Sequence, residues 1–352
     1  IKGEGELTLV ELLRALKENR DLHGIDGLLF KEDGRIIENK ERGLIQDLDL
    51  LPFPARDLFK VKAYTYPDAI SRATVPMITS RGCPGRCTYC NASSIFSRKF
   101  RARSARSVVD EIEFLIKRLS VKEIHIWDDN FATIKERVHQ IKEEILRRGL
   151  KVKFAFPNGI RADFLSEDVL KSLKEMGTYS VAIGVESGNQ MVLETAKKGI
   201  RLERIARAFE LAKKLRLETW AFFMFGLPGE DLSAAHDTIR FAKKVDPDIA
   251  KFHILKPYPG TEVYNYMSEN KLLSSVDFDD YGIHTYPVHH LNGLAEEDLL
   301  KLQRTAYREF YLRPSKQIKQ ILRIKSYNRL KLNLKAALDL AGMVFKSQKR
   351  CL

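Results

Sequence analysis

One stretch organises the chain, and it reads Thr79-Ser80-Arg81-Gly82-Cys83-Pro84-Gly85-Arg86-Cys87-Thr88-Tyr89-Cys90. It holds three of the four cysteines, Cys83, Cys87 and Cys90, at C-x3-C-x2-C spacing. Thiolates bind iron–sulfur clusters and zinc, but zinc sites usually add a second Cys or His pair, and none follows here. Three thiolates without a fourth indicate an unfinished coordination shell. A four-iron cluster held there would keep its fourth iron open to a substrate. A structural zinc site, or three unrelated thiols, is the alternative.

The composition is that of a globular protein without a disulfide framework. The chain has 352 residues, 44% of them hydrophobic and only four of them cysteine. An oxygen-sensitive cluster requires reducing surroundings, so we expect a cytoplasmic location. No apolar run approaches the roughly 20 residues of a membrane span. The chain opens at Ile1 without an initiator Met or a signal sequence, so we expect a fragment of a longer product.

The positive charge is concentrated at the C-terminal end. Residues 301–352 hold 14 Lys and Arg against Glu309 and Asp339, which leaves this segment +12 of the net charge of +13. Basic and apolar residues alternate there at helical spacing. Such a helix is typical of a membrane surface element or a nucleic-acid patch. A helix docked on the preceding domain with a solvated basic face is the alternative.

The cysteine stretch, preceded by the apolar run from Val75 to Thr79, resembles the signature of the radical S-adenosylmethionine (SAM) enzymes. In that family the open iron of a [4Fe-4S] cluster is chelated by SAM. An electron passed through the cluster then yields a 5'-deoxyadenosyl radical. The resemblance implies that Cys83, Cys87 and Cys90 hold the cluster and that Tyr89 lies near the adenine.

Residues 74–270 alternate strand-like and helix-like runs, which predicts βα units around a parallel sheet. The predicted strands are Val75–Thr79, Glu123–Trp127, Lys153–Phe156, Ser180–Ile183, Thr219–Phe225 and Ala250–Leu255. Six units are too few for an eightfold barrel. The resemblance implies an α/β fold, a partial (β/α)6 TIM-like barrel, with its ligand site over the carboxyl ends of the strands.

Unusual residues follow the predicted strands, and the resemblance gives them roles in binding SAM. Asp129 and Asn130, after the second strand, would receive the ammonium group, although either could simply start the next helix. Arg161, after the third, could pair with the carboxylate, or it could be an ordinary surface arginine. Glu186 ends an apolar run, where a carboxylate is costly to bury without a partner.

The resemblance gives Glu186 the ribose hydroxyls or the amino group of SAM, with Ser187 assisting. Gly226 and Gly229 follow the fifth strand, where missing side chains would admit the adenine ring. Both could equally be turn glycines. Pro259 belongs to the rigid turn after the sixth strand, where further adenine contacts are expected.

The two flanks of the barrel are predicted to be separate regions. Residues 1–73 resemble the junction that follows the Rossmann-like cobalamin-binding domain in cobalamin-dependent members, so cobalamin is expected in the full-length protein. Asp33-Gly34 predicts a hairpin. Residues 271–352 combine the basic α-helical tail with His284, His289 and His290. We expect these histidines in a solvated loop over the barrel mouth that could shape the substrate pocket, with a metal site as the alternative.

The sequence therefore predicts a radical SAM enzyme of the cobalamin-associated class. The outcome could be methyl transfer or a cyclisation on a lipid, pigment or other secondary metabolite, with electrons from a donor such as flavodoxin or ferredoxin. The basic tail favours peripheral membrane contact or, as a rival, an RNA-modifying radical enzyme. No compact RNA-binding module is visible after Asn270, so nucleic acid is the weaker alternative. The other rival is a non-catalytic zinc or RNA-binding protein.

Overall fold

The computed structural model describes residues 1–322 apart from residues 65, 67–68 and 283–284. Its strands are β1 (Leu29–Glu32), β2 (Arg35–Glu38), β3 (Thr74–Met77), β4 (Ser80–Arg81), β5 (Arg101–Ala102), β6 (Glu123–Ile126), β7 (Lys153–Arg161), β8 (Thr178–Glu186), β9 (Glu218–Phe225) and β10 (Ile249–Ile254). Its helices are α1 (Gly5–Lys17), α2 (Ala92–Phe96), α3 (Ala105–Leu119), α4 (Lys135–Arg147), α5 (Glu167–Glu175), α6 (Gln190–Thr195), α7 (Leu202–Lys214), α8 (Leu232–Val245), α9 (Glu262–Glu269), α10 (Glu296–Tyr311) and α11 (Pro314–Leu322).

Six parallel strands form the central sheet in the order β10-β9-β8-β7-β6-β3, which confirms the predicted partial barrel. Each strand is followed by a helix that returns the chain to the start of the next strand. One face of each strand is buried beneath these helices, as Val181, Ile183 and Val185 of β8 illustrate. Burying such alternating β-branched residues stabilises the sheet by about 2 kcal/mol for each side chain. Because all six strands run the same way, their carboxyl ends meet at one rim.

Two strands are longer than the sequence pattern predicts. β7 continues past Phe156 to Arg161, and β8 continues past Ile183 to Glu186. Register shifts interrupt both strands, between Phe156 and Ile160 and between Gly184 and Glu186. A bulge breaks the two-residue alternation on which a strand prediction depends. Arg161 and Glu186 therefore lie on strand ends rather than in loops.

Two of the helices begin at a capping residue. Ser104 caps α3 by accepting a hydrogen bond from the Ser107 amide at 3.1 Å. Asp231 caps α8 in the same way, through the Ala234 amide at 2.7 Å. A cap satisfies amides that have no partner within the helix, which is why these residue types mark helix starts.

The N-terminal region packs on the barrel beside the cysteine stretch. The hairpin β1–β2 turns at Asp33 and Gly34, both with positive φ, as the sequence predicted. Glu4 is buried and accepts hydrogen bonds from Arg81 at 2.8 Å, from Arg101 at 2.9 Å and from the Ile45 amide at 2.7 Å. Its carboxylate thus joins the N-terminal segment to β4, directly before the first cysteine.

Helix α10 covers the open edge of the sheet. Three of its side chains, spaced four residues apart on one helix face, bond to the backbone of β10. The Tyr311 hydroxyl contacts both the amide and the carbonyl of Ala250, at 3.0 and 2.9 Å. Tyr307 accepts from the Phe252 amide at 3.2 Å, and Gln303 donates to the Phe252 carbonyl at 2.7 Å. The helix therefore supplies the partners that an edge strand lacks.

The first basic residues of the tail are docked on the barrel. Arg313 and Lys319 both pair with Asp246, and buried Lys316 donates to the Pro247 carbonyl. This contact favours the docked-helix alternative for residues 313–319. The remaining basic tail, residues 323–352, lies outside the described residues. Within the part described, no helix is long and apolar enough to cross a membrane.

Candidate functional site

The cysteine loop is fastened to the rim of the sheet by backbone hydrogen bonds. The Gly82 amide donates to Asp129 at 3.0 Å, directly beyond β6. Thr88, between the second and third cysteines, donates to the Ala196 carbonyl and accepts from the Val263 amide, each at 3.0 Å. The loop is therefore held from three separate places along the chain. Its position is set before any metal binds.

The three thiols surround a space that the local glycine leaves open. Cys83 and Cys87 are half-buried and Cys90 is exposed. A Cβ on Gly85 would lie 3.4 Å from the sulfur of Cys83 and 3.8 Å from that of Cys87. Burial raises the pKa of the Cys83 thiol in the metal-free protein, whereas a bound metal would take the thiolate. The loop accordingly fits a bulky inorganic group held by three sulfurs.

Thiolates bind both single metal ions and iron–sulfur clusters. A zinc ion needs its ligands about 2.0–2.3 Å away on all sides, whereas in a four-iron cluster each thiolate binds a different iron. The iron–sulfur cluster therefore stays a prediction, with zinc as its alternative.

Two neighbouring aspartates at the end of β6 act differently. Asp128 is buried and accepts hydrogen bonds from the Thr79 amide and hydroxyl at 2.6 Å and from the Ser80 hydroxyl at 2.5 Å. It orders the backbone that leads into the cysteine loop. Asp129 is the one that contacts the loop, through Gly82, and burial raises the pKa of its carboxyl. Sequence reasoning singled out Asp129 and missed the anchoring role of Asp128.

Asn130 is turned into the fold. Its side chain is buried, donates to the Thr133 hydroxyl at 2.8 Å and accepts from the Arg161 amide at 3.2 Å. Both ends of the side-chain amide are therefore used between β6 and β7. The predicted contact of Asn130 with a ligand has no support in these bonds.

Arg161 is held against the cysteine loop. Its guanidinium donates to Asp163 at 2.8 and 3.1 Å and to the Lys198 carbonyl at 2.9 Å. Nη1 lies 3.7 Å from the sulfur of Cys87. The side chain is 14% exposed, so Arg161 is not an ordinary surface arginine. Its positive charge therefore lies next to the sulfur of Cys87.

Glu186 meets a lysine that the sequence analysis missed. Its Oε1 lies 3.1 Å from the Nζ of Lys198, which lies 3.4 Å from the Tyr89 hydroxyl. The side chains of Glu186 and Lys198 are 12% and 4% exposed, so this is a nearly buried pair. Burial, together with the nearby Glu186 carboxylate, holds the pKa of Tyr89 well above its ordinary value. Lys198 follows the short helix α6, and no periodic pattern distinguished it from Lys197.

The backbone conformation of Glu186 directs its side chain towards Lys198 and Tyr89. Its φ is +69°, in the left-handed region that a residue other than glycine or asparagine rarely occupies. Gly184 provides the space, because a Cβ there would lie 2.7 Å from Glu186 Oε1. Residues held in this conformation cost about 1–3 kcal/mol, and they cluster at functional sites.

Ser187, by contrast, points away from Glu186. It is fully buried, lies 3.2 Å from the Thr238 hydroxyl of α8, and accepts from the Asn189 amide at 3.1 Å. The structure does not bring this hydroxyl together with the cysteine loop.

Gly226 is clamped from both sides at the end of β9. Its amide donates to Glu230 at 2.6 Å and its carbonyl lies 3.0 Å from Nε2 of His289. Burial raises the pKa of Glu230 to about 8 and lowers that of His289 to about 4. His289 must donate this bond from Nε2.

The prediction of a solvated loop is therefore wrong for His289, which is fully buried. Val288 and Leu291, its apolar neighbours on the same segment, are also buried, so this part of the segment packs into the core. His290 is half-buried, and His284 lies outside the described residues.

Two more predicted residues lie near the same rim. Gly229 has φ +83°, and a Cβ there would approach the Thr195 side chain to 3.3 Å. Pro259 is exposed on the turn after β10, and the next residue, Gly260, accepts from the Ser94 hydroxyl at 3.3 Å. The turn therefore touches α2, which directly follows the cysteine loop.

Lys256, also missed by sequence reasoning, fastens the segment beyond the barrel. This buried lysine donates to the Asp280 carbonyl at 2.9 Å, the Thr285 hydroxyl at 2.9 Å and the Tyr286 carbonyl at 2.6 Å. Burial lowers its pKa to about 8. It lies between strand β10 and the rigid turn, where the sequence showed only a charged residue before a proline.

Comparison with known proteins agrees with this geometry. The family model described as Radical SAM superfamily matches residues 77–242, from the end of β3 to α8. The chain is 38% identical over 321 residues to the uncharacterized methyltransferase PH0819 of Pyrococcus horikoshii, covering 91% of this chain and 69% of that protein. It is 26% identical to the anaerobic magnesium-protoporphyrin IX monomethyl ester cyclase of Rubrivivax gelatinosus, covering 89% of this chain and 56% of the cyclase.

A solved structure shares the fold over nearly the whole chain. The cobalamin-dependent S-adenosylmethionine radical enzyme OxsB, with aqua-cobalamin and S-adenosylmethionine bound, superposes with a TM-score of 0.69 at 18% identity. The match covers 97% of this chain and 55% of OxsB. The chain thus spans about half the length of OxsB and of the cyclase.

Proposed function

Because the chain belongs to the radical SAM superfamily, we propose that residues 74–270 bind a [4Fe-4S] cluster and SAM and cleave SAM reductively. The flanking regions in this proposal are residues 1–73, the end of a cobalamin-binding domain, and residues 271–352, a substrate-side and basic helical region. When bound, the cluster supplies the electron that divides SAM into methionine and a 5'-deoxyadenosyl radical.

One observation carries the proposal. Three thiols lie on a loop that is bonded to the rim of the sheet, with Gly85 leaving space between two of them. Among the described cysteines no fourth is present to close the coordination shell. A site that keeps one position open is the kind that binds a substrate at the metal.

The residues around the loop would bind and orient SAM. In the proposal the Asp129 carboxylate faces the ammonium group, while the Glu186–Lys198 pair offers an acceptor and a donor to the ribose or the amino acid part. Tyr89 and the open backbone at Gly226 and Gly229 would border the adenine, with Pro259 on the turn beside them. Arg161 would stay bonded to Asp163 and to the Lys198 carbonyl, beside the sulfur of Cys87.

Cobalamin and the reaction outcome extend the proposal to the longer protein. A relative named as a methyltransferase, one named as a cyclase, and a cobalamin-dependent enzyme of the same fold support methyl transfer or cyclisation. A pigment, lipid or other secondary metabolite would be the substrate.

An external donor would deliver the electron, and flavodoxin or ferredoxin in the reducing cytoplasm fits that need. Peripheral membrane contact would require residues 323–352, because residues 313–319 are docked on Asp246 and Pro247. Binding of the full chain to anionic vesicles, lost at high salt, would support that contact.

The test is anaerobic reconstitution of the full chain with iron and sulfide. We expect a brown protein, with an electron paramagnetic resonance signal that changes on adding SAM and with 5'-deoxyadenosine formed under a strong reductant. Cys87→Ala should lose the cluster signal and at least about 10³-fold of SAM cleavage, because two thiols do not hold a cubic cluster.

The fourth cysteine provides a matched control, since Cys351→Ala removes a thiol outside the motif and should leave colour and cleavage unchanged. A colourless protein that retains zinc would overturn the proposal in favour of the non-catalytic alternative. Full SAM cleavage by Cys87→Ala would overturn it as well.

A further inference from the structure

Arg161 reaches the cysteine loop from the end of β7. The register of this strand shifts between Phe156 and Ile160, and beyond the shift Arg161 pairs with Gly184 of β8. The Arg161 amide also donates to the side chain of Asn130 at 3.2 Å. The backbone of this residue is therefore fixed at the rim of the sheet between two neighbouring strands. Its side chain is 14% exposed, so the guanidinium lies mostly out of solvent.

The nitrogens of the Arg161 guanidinium have different partners. Nε and Nη2 donate to the two carboxylate oxygens of Asp163, at 3.1 and 2.8 Å, and Nη2 also donates to the Lys198 carbonyl at 2.9 Å. The remaining nitrogen, Nη1, has one acceptor in the described part of the chain, the sulfur of Cys87 at 3.7 Å. A carboxylate that binds two nitrogens fixes the plane of a guanidinium. Asp163 therefore holds Arg161 in the orientation that directs Nη1 at the sulfur.

Gly85 allows this close approach. A Cβ at position 85 would lie 3.2 Å from Nη1 of Arg161, which is tighter than ordinary van der Waals contact. Any other residue at this position would therefore push the guanidinium away from the loop. The glycine thus makes room for the arginine as well as for the thiols.

A guanidinium beside a cluster ligand has an electrostatic consequence. Hydrogen bonds to the ligand sulfurs, together with the net charge nearby, set the reduction potential of an iron–sulfur cluster. An added electron makes the metal site more negative, so a positive charge close to it stabilises the reduced form. Because Arg161 is mostly buried, water and salt screen its charge less than they screen a surface charge.

Asp163 opposes this effect. Its carboxylate is 28% exposed and carries the charge that offsets the guanidinium. Among the described residues, no hydrogen bond joins Asp163 to the cysteine loop, so Arg161 is the member of the pair that contacts the sulfur. The two side chains should therefore change a reduction potential in opposite directions.

We propose that Arg161 raises the reduction potential of the cluster through the sulfur of Cys87, and that Asp163 limits this rise. One electron passes from the external donor to the cluster, and Arg161 forms and breaks no covalent bond. The effect requires no SAM, which separates it from a pairing of Arg161 with the SAM carboxylate. This inference rests on the proposed function, because it concerns the same cluster.

The test is a redox titration of the full, anaerobically reconstituted chain without SAM, followed by the electron paramagnetic resonance signal of the reduced cluster. Arg161→Gln should lower the equilibrium constant of one-electron reduction about tenfold, which is a shift of about 59 mV to lower potential. Arg161→Lys keeps the charge and should recover most of that loss. Asp163→Asn should raise the constant about threefold, because a negative charge is lost while the Lys198 carbonyl still holds the guanidinium.

Arg86→Gln is the matched control, since Arg86 is an exposed arginine of the same loop. Its charge is solvated, so the reduction constant should change less than about twofold. An unchanged potential in Arg161→Gln would overturn the inference, as would an equal fall in Arg86→Gln.

Asp163→Asn retains Arg161 and the three cysteines, so it decides the question even if Arg161→Gln takes up no iron. A potential equal to or below that of the wild type in this variant would overturn the inference. A wild-type chain that binds zinc and no iron would sink the proposed function, and this inference with it. A wild type that cleaves SAM, with Arg161→Gln titrating at the same potential, would overturn this inference alone.

Discussion

The ends of β8 and β9 lie side by side, and each presents a glutamate with a different use. Glu186 ends β8 with a strained backbone and pairs with Lys198 beside Tyr89. Glu230 follows β9, is buried without a cation, and holds the Gly226 amide. The Glu186 carboxylate has a cationic partner, Lys198, and lies beside the cysteine loop. The other is kept neutral by burial, as its raised pKa shows, and serves the backbone.

The difference between Glu186 and Glu230 shows that carboxylates at neighbouring strand ends can have different roles, one towards a ligand and one towards the backbone. A charged group that meets a ligand needs a counter-charge when it is nearly buried. A group that only shapes the loop can be neutral, because it needs only to accept hydrogen bonds from backbone amides, as Glu230 does from Gly226 and Leu227. The β9 end should therefore respond to substitution through stability and pH, and the β8 end through SAM binding.

Gly226→Ala should have the largest effect on the β9 side. The new Cβ would lie 2.4 Å from His289 Nε2, and φ at this position is +87°. Overpacking and left-handed strain together should cost about 4 kcal/mol of unfolding free energy, measured by urea denaturation. Gly43→Ala is the control, since a Cβ on Gly43 meets no atom within 4 Å. A loss of unfolding free energy below about 1 kcal/mol would show that His289 can shift to make room for the new methyl group.

Lys198→Met should act mainly on the β8 side. Removing one member of a nearly buried ion pair costs about 3 kcal/mol, and SAM affinity should fall about 100-fold because Glu186 loses its orientation. Equilibrium SAM binding to the reconstituted protein gives the readout. Lys197→Met is the matched neighbour: its pair with Glu262 is about half exposed, so little change is expected. Equal effects in both variants would contradict a special role for Lys198.

Glu230→Gln should raise stability at alkaline pH. The fold raises the pKa of Glu230 from 4.5 to about 8, so its contribution is complete below about pH 4.5 and is lost as pH rises through 8. Glutamine stays neutral and can still accept from Gly226. We expect the variant to exceed the wild type by about 2.7 kcal/mol at pH 6.5 in urea denaturation, from about 1.36 kcal/mol for each of the two pH units above 4.5. A wild-type stability that is flat between pH 5 and 8 would disagree.

His289→Gln should show the opposite slope and the smallest effect. The fold lowers the pKa of His289 from 6.5 to about 4, so its contribution is present above pH 6.5 and is lost as pH falls through 4. Glutamine can donate to the Gly226 carbonyl without titrating. Wild-type unfolding free energy should fall by about 2 kcal/mol between pH 7 and 5, and the variant should lose less. Parallel pH profiles would contradict this assignment.

The sequence predicted the barrel because local patterns carried it. Alternating burial in the strands, caps such as Ser104 and Asp231, and the Asp33-Gly34 turn each act within a few residues. The cysteine spacing is likewise local. These features need no knowledge of distant contacts, so the six strands and the three cysteines could be predicted from them, while the partial barrel followed from the resemblance to the radical SAM enzymes.

The strand-end chemistry depended on distant contacts. Bulges extended β7 and β8 and carried Arg161 and Glu186 onto strands, while Ser187 turned towards Thr238. Lys198 is paired with Glu186, and His289 contacts the carbonyl of Gly226, 63 residues away. Sequence periodicity does not predict these long-range contacts, because they depend on how helices and loops pack around the rim of the sheet.

Residue types and their spacing by themselves determined a parallel α/β protein with three cysteines at C-x3-C-x2-C spacing in one loop, since both are short-range features. Only the tertiary structure decided which glutamate faces the cysteine loop and which supports the backbone. Burial and counter-charge set that choice, and both are properties of the packed molecule.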